Sequence, residues 1–197
     1  MRRIAVIGGS CSGKTTLARS LAARLGVPHV EVDALHHDPG WREASAELLR
    51  EQVLAAIAAA PHGWVVDGNY FGKLGGLVLE RADTVVWLDV PYGTAIRRVL
   101  WRTWSRLVSR AELWNGNRER LRDAFGRDSI VWWVLTTHRR FAPKWTERLA
   151  AYPQLEVVRL PSASDVGAWL QSIQPTAAMS GRSGASERQK TPPSVER

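Results

Sequence analysis

The chain has 197 residues, 45% of them hydrophobic, and a formal net charge of +8. That length and apolar fraction suit one globular domain with an ample core, and no run of eighteen apolar residues predicts a membrane span. The lone cysteine, Cys11, excludes an internal disulfide and fits a reducing cytoplasm.

The first apolar run, Ile4-Ala5-Val6-Ile7, predicts a buried strand over residues 3–8. It leads into Gly8-Gly9-Ser10-Cys11-Ser12-Gly13-Lys14-Thr15, which fits G-x-x-x-x-G-K-[ST] at every fixed position. It therefore reads as a strand and not as a signal peptide. An amphipathic helix is predicted from Thr16 to residue 25. A strand, a Gly-rich turn and a helix N-terminus form an anion cradle, because loop N–H groups and the helix dipole point at the same spot. Residues 8–16 are thus the predicted nucleotide site, for ATP or GTP. Lys14 would reach the β- and γ-phosphates, and the Thr15 hydroxyl would ligate Mg²⁺.

Further strands are predicted at residues 29–33, 64–67, 84–90 and 155–160, all near-continuous apolar runs as in sheets covered on both faces. Between the second and third, Leu49, Val53, Ile57 and Ala60 recur at helical spacing and Pro61 closes the segment. After the fifth, Ser162 and Ser164 offer N-caps to a helix with Val166, Trp169, Leu170 and Ile173 on its apolar face. The alternation predicts an α/β P-loop NTPase fold of three layers, with a five-stranded parallel sheet over residues 1–174. Residues 94–151 hold no clear strand and are dense in Arg and Trp, reading as two or three helices interrupted near Asn115-Gly116-Asn117. This insertion, beside the phosphate loop, is the predicted helical lid. Residues 175–197 are Ser, Pro, Gly, Arg and Gln with few large apolar groups, and read as a disordered tail.

Three carboxylates, Asp33, Asp67 and Asp89, fall at predicted strand C-termini, the edge where open α/β sheets bind ligands. One of them is needed near the Mg²⁺ shell, and another suits the acceptor's proton. Of the 27 basic residues only Lys14, Lys73, Lys144 and Lys190 are lysines, so the positive charge is arginine charge. Arg98, Arg102 and Arg106 share one helical face with no acid between them, which calls for an anion opposite. Arg139 and Arg140 are candidates to meet the same phosphates. Trp101, Trp104, Trp114, Trp132, Trp133 and Trp145 interleave with these arginines and offer either core packing or stacking on bases. The pair His36-His37 lacks zinc spacing and is read as lining an acceptor pocket beside Asp33.

The phosphate loop, Val32-Asp33-Ala34-Leu35, Val66-Asp67-Gly68-Asn69-Tyr70, and Leu88-Asp89-Val90-Pro91 with Arg98 and Arg102 downstream together resemble the adenylate-kinase-like branch of P-loop kinases. More narrowly they resemble bacterial proteins described as adenylate kinase-related or DNA topology modulation proteins. The resemblance spans residues 1–173. It implies strand order 2-3-1-4-5, an Mg²⁺ role for Asp67 with Thr15, and arginines Arg98 and Arg102 at the nucleotide. Shikimate-kinase-like relatives imply an acceptor role for Asp33. Adenylate kinases follow Asp-Gly with Phe-Pro-Arg, whereas this chain has Asn69, Tyr70 and Phe71 after Gly68. The acceptor-phosphate arginine is missing there, so a polar, hydroxyl-bearing acceptor competes with AMP.

The catalytic set implied is Lys14, Asp33, Arg98, Arg102, Arg139 and Arg140, with His36, Gly68, Asn69 and Tyr70 beside Asp33 at the acceptor. The implied activity is ATP-dependent phosphoryl transfer to a small molecule or nucleotide, in a monomer or homodimer with no membrane partner. The alternative is a nucleotide-dependent regulatory or nucleic-acid-binding NTPase, which would show steep salt dependence on DNA.

Overall fold

The structure is a computed structural model and describes residues 1–109, 115, 126 and 129–175. The remainder of the predicted lid, including Arg110, Trp114, Gly116 and Asn117, lies outside the described residues, as do residues 176–197. Five parallel strands form the central sheet: β1 (Arg3–Gly8), β2 (His29–Glu31), β5 (Trp64–Asp67), β6 (Thr84–Leu88) and β7 (Glu156–Leu160). They lie in the order β2-β5-β1-β6-β7. Numbered within that sheet alone, the order is 2-3-1-4-5. A separate hairpin, β3 (His37–Asp38) with β4 (Arg42–Glu43), was not predicted. Two-residue strands carry too few side chains to leave a period in the sequence.

The three central strands are buried along nearly their whole length, and the edge strands β2 and β7 are not. Alternate side chains of β1 go to opposite faces, as the period of two requires. Ile4 and Val6 pack with Leu17 and Leu21 of α1 (Lys14–Leu25) and with partly buried Trp169 and Leu170 of α7 (Ala163–Ser172). Ala5 and Ile7 pack with Trp87, Trp145 and Leu149 on the other face. Trp145 and Leu149 belong to α6 (Ile130–Ala150). Trp64 and Val66 are covered by Leu49 and Val53 of α3 (Ala46–Ala58). Trp64 is 1% exposed, and trimming such a ring to alanine costs about 3–5 kcal/mol.

Caps set several boundaries. Ser45 accepts from the Leu48 N–H at the start of α3, and Ser129 from that of Trp132 at the start of α6. Ser162 caps α7 by accepting from the Asp165 N–H, while Ser164 bonds the Ser162 hydroxyl. The second strand ends at Glu31, two residues before the prediction. The chain turns there into a short helix, α2 (Val32–His36), so Asp33 sits in a helical turn and not on the strand. Val32 packs tightly under Gly68, where a Cβ would meet Val32 Cβ at 2.9 Å.

Two further helices start from the C-terminal ends of central strands. The short α4 (Phe71–Leu74) follows β5, and α5 (Tyr92–Ser109) follows β6. Ala95 and Val99 of α5 pack on Val131 and Val134 of α6 to form a separate small core that Cys11 joins from the loop.

Candidate nucleotide and acceptor site

Gly8 must be glycine because of close approach: a Cβ there would lie 2.6 Å from Ser12 Oγ and 2.7 Å from the Leu88 carbonyl. Gly13, the N-cap of α1, has φ 100°, a conformation that costs a side-chain-bearing residue strain. Between them the loop curls so that Lys14 Nζ donates to the Gly8 and Gly9 carbonyls, each at 3.0 Å. Burial pushes the Lys14 ammonium below its usual value, against the opposing pull of Asp33 and Asp67. Cys11 sits in the same turn at φ 61°, half-buried.

Thr15 Oγ1 donates to Asp67 Oδ2 at 2.7 Å. Asp67, at the end of β5, is 2% exposed, and its other oxygen accepts from His29 Nε2 at 2.8 Å. A hydroxyl and a carboxylate oxygen at a helix N-terminus are hard donors of the kind Mg²⁺ takes. Among the described residues no group of three or more His, Cys, Asp or Glu could hold a metal. A hydroxyl and one carboxylate suit an ion that takes the rest of its shell from waters and phosphate oxygens. His29 was missed in the sequence, since a histidine opening an edge strand has no local signature.

Asn69, expected at the acceptor, is engaged with the loop. Its Oδ1 accepts from the Gly8 N–H at 3.3 Å and its Nδ2 donates to the Gly8 carbonyl. Tyr70 faces Asp33: its hydroxyl donates to Asp33 Oδ1 at 2.6 Å and lies 3.5 Å from His37 Nε2. Burial and the Asp33 charge hold the Tyr70 phenol far above its usual value, so it remains a donor. His36 is 3% exposed, packs against the Tyr70 ring at 4.6 Å and lies 3.5 Å from Glu43. Lys73 is pinned between the Glu43 carboxylate at 2.8 Å and the Ala44 carbonyl at 3.0 Å. The Asn115 amide donates to the carbonyls of His37 and Ala34 at 2.6 and 3.3 Å.

Arg98 Nη1 donates to the Ser12 carbonyl at 2.9 Å, tying α5 to the loop. Arg102, one turn on, is close enough to Lys14 for its charge to lower the lysine's proton affinity. Arg98, Arg102 and Arg106 are all partly buried while Arg97 is exposed, so the shared face is turned inward. Arg139 lies over the Tyr92 ring at 5.2 Å, and Arg140 is exposed. Asp89 does not stand beside the loop as a lone carboxylate; Arg159 of β7 pairs with it while stacking on Trp87 at 4.7 Å. Of the tryptophans among residues 94–151, Trp145 is core. Trp101, Trp104, Trp132 and Trp133 are exposed, because the faces that α5 and α6 turn to each other carry Ala95, Val99, Val131 and Val134.

The AAA domain family matches residues 3–37, the stretch from β1 through the loop and α2 to the first residue of β3. A cytidylate kinase of Pyrococcus horikoshii is 28% identical over 185 residues, covering 83% of this chain and 92% of that protein. A shikimate kinase of Synechococcus elongatus is 28% identical over 149 residues, covering 64% of this chain and 75% of its own length. The crystal structure of shikimate kinase from Bacteroides thetaiotaomicron superposes with a TM-score of 0.50 at 16% identity, over 86% of this chain and 94% of that one. The fold is that of a P-loop kinase. The similarity reaches that level and does not single out the adenylate kinase or topology-modulation branch. Among the described residues, no helix is long and apolar enough to cross a membrane.

Proposed function

We propose that the chain is an ATP-dependent P-loop phosphotransferase whose acceptor hydroxyl binds against Asp33. The observation that carries this reading is the placement of two carboxylates around Lys14. Asp67 is joined to Thr15 on the metal side, and Asp33 is joined to Tyr70 on the acceptor side. Lys14 and the loop amides of residues 8–15 would hold the triphosphate, with Thr16 in the first turn of α1. Thr15 and Asp67 would hold Mg²⁺, which when bound neutralises charge between the β- and γ-phosphates. Arg98 and Arg102 lie on the inward face of α5 and would stabilise charge on the phosphoryl in flight, with Arg139 and Arg140 closing from α6. Asp33, held by the Tyr70 hydroxyl, would accept the acceptor's proton. His36 and Gly68 shape the wall behind Tyr70.

Within that class the pair Asp67-Gly68 and the arginines four apart on α5 favour the adenylate-kinase-like branch. The names of the relatives make cytidylate and shikimate the first acceptors to test. Label transfer from radiolabelled ATP with Mg²⁺ is the test, run across nucleoside monophosphates, nucleosides, sugars and hydroxy acids. Lys14→Ala is the blank. Label on one acceptor establishes the kinase; near-normal transfer by Lys14→Ala overturns the mechanism.

The exposed Trp101, Trp104, Trp132 and Trp133 beside arginines favour a second reading, a nucleotide-dependent NTPase that binds nucleic acid. Label released only as free phosphate, together with salt-sensitive DNA binding, would replace the first reading with this one.

A further inference from the structure

His138 of α6 lies over the first turn of the phosphate loop. Gly9 has no side chain, and a Cβ placed there would stand 4.0 Å from His138 Cδ2. The ring atom bonded to Cδ2, Nε2, is buried and has no hydrogen-bond partner among the described residues. The imidazole is fixed by an edge-on contact with Tyr92, with centroids 5.5 Å apart and planes at 87°. Tyr92 is in turn stacked by Arg139. Three segments thus meet at this ring: the loop, the start of α5 and the middle of α6.

A buried ring nitrogen without a partner is uncommon in a folded chain, because water would otherwise satisfy it. The loop beneath it gathers N–H dipoles, a helix N-terminus and the Lys14 charge, so the ligand completing that environment is an anion. We infer that His138 Nε2 donates a hydrogen bond to a terminal phosphate oxygen of the bound nucleotide. This rests on the kinase reading for the identity of the ligand, and it adds a third group from α6 to Arg139 and Arg140, which would close on the phosphoryl. Burial keeps the imidazole below its usual proton affinity, against a weaker opposing effect of Asp89, which suits a neutral donor.

The test is equilibrium binding of Mg·ATP and of adenosine to the full chain and to His138→Ala and His138→Gln, with transfer rates measured alongside. His138→Ala should weaken Mg·ATP by about tenfold, the usual scale for a hydrogen bond to a charged group, and leave adenosine binding unchanged. His138→Gln keeps an N–H and should recover part of the loss. Equal losses for ATP and adenosine would overturn the inference, since the residue would then read the nucleoside. So would unchanged ATP binding with a lowered melting temperature, which marks a structural role. A wild-type chain that binds ATP but phosphorylates nothing sinks the kinase reading alone, and His138 is still judged by its binding constants. A wild-type chain that binds no ATP overturns both.

Discussion

His29 Nε2 donates to Asp67 Oδ1 at 2.8 Å, while the other oxygen of Asp67 accepts the Thr15 hydroxyl at 2.7 Å. The carboxylate is clamped from both sides. Orientation of this kind by a neighbouring hydrogen bond governs how well a ligand presents its oxygen. His29→Ala should therefore raise the Mg²⁺ concentration needed for half-maximal transfer by ~10–100-fold, the range for lost outer-shell partners, and His29→Gln should recover much of it. A Mg²⁺ titration of initial rates at saturating ATP checks this.

Tyr70 and Asp33 are joined by a hydrogen bond in the same way, and that contact has a pH signature. The Tyr70 phenol is raised well above its usual 10.0. Above pH 10.0 the unfolded chain gives up that proton and the folded chain keeps it, so the folded state binds more protons. Stability is fully present below that pH and falls as pH rises beyond it. Tyr70→Phe removes the titrating group, so its stability should decline less steeply than wild type on the alkaline side. Denaturant melts of the two chains at pH 9, 10 and 11 would show it (about one proton's difference in slope). Parallel slopes would contradict the geometry.

Asp33→Asn keeps the shape of the side chain and removes the group proposed as the general base. Transfer should fall by about 10²–10⁴-fold, the usual contribution of a positioned general base. ATP binding should not weaken, because the change removes a negative charge near Lys14 and leaves the loop's own groups in place. Comparison of kcat with the ATP dissociation constant separates these effects.

Arg102→Ala should lower kcat by up to ~10³-fold, the lower end for an arginine at a transferring phosphoryl group. Arg106→Ala lies one turn farther along the same face and should cost far less. Equal losses at both positions would mean that the arginine face acts only as general positive charge. Single-turnover measurements on each variant decide between these outcomes.

Gly8→Ala tests the loop's packing directly. The new methyl would meet Ser12 Oγ at 2.6 Å and the Leu88 carbonyl at 2.7 Å, and the backbone atom cannot move without disturbing β6. A destabilisation of about 1–3 kcal/mol is expected from overpacking of this kind, measurable by urea melts.

The sequence by itself determined the parts built from neighbours along the chain. The strand, loop and helix over residues 3–25 are local, since a buried β-branched run, Gly8 and Gly13 at fixed positions, and Lys14-Thr15 at a helix start each act within a few residues. The five parallel strands were legible from apolar runs separated by helical periods, and the inward arginine face of α5 from a spacing of four. Only the tertiary structure decided what each polar group meets. His29 reaches Asp67 across 38 residues, Asn69 braces Gly8 across 61, and Arg159 takes Asp89 across 70. His138 is carried to Gly9 by a helix more than a hundred residues downstream. Such pairs leave no period in the chain, because they are set by which strand ends the sheet brings side by side. Asp89 and Asp67 look alike in sequence, each an acid closing a buried strand. One pairs with an arginine on the next strand and the other with a histidine and the loop threonine, and strand order alone assigns those neighbours.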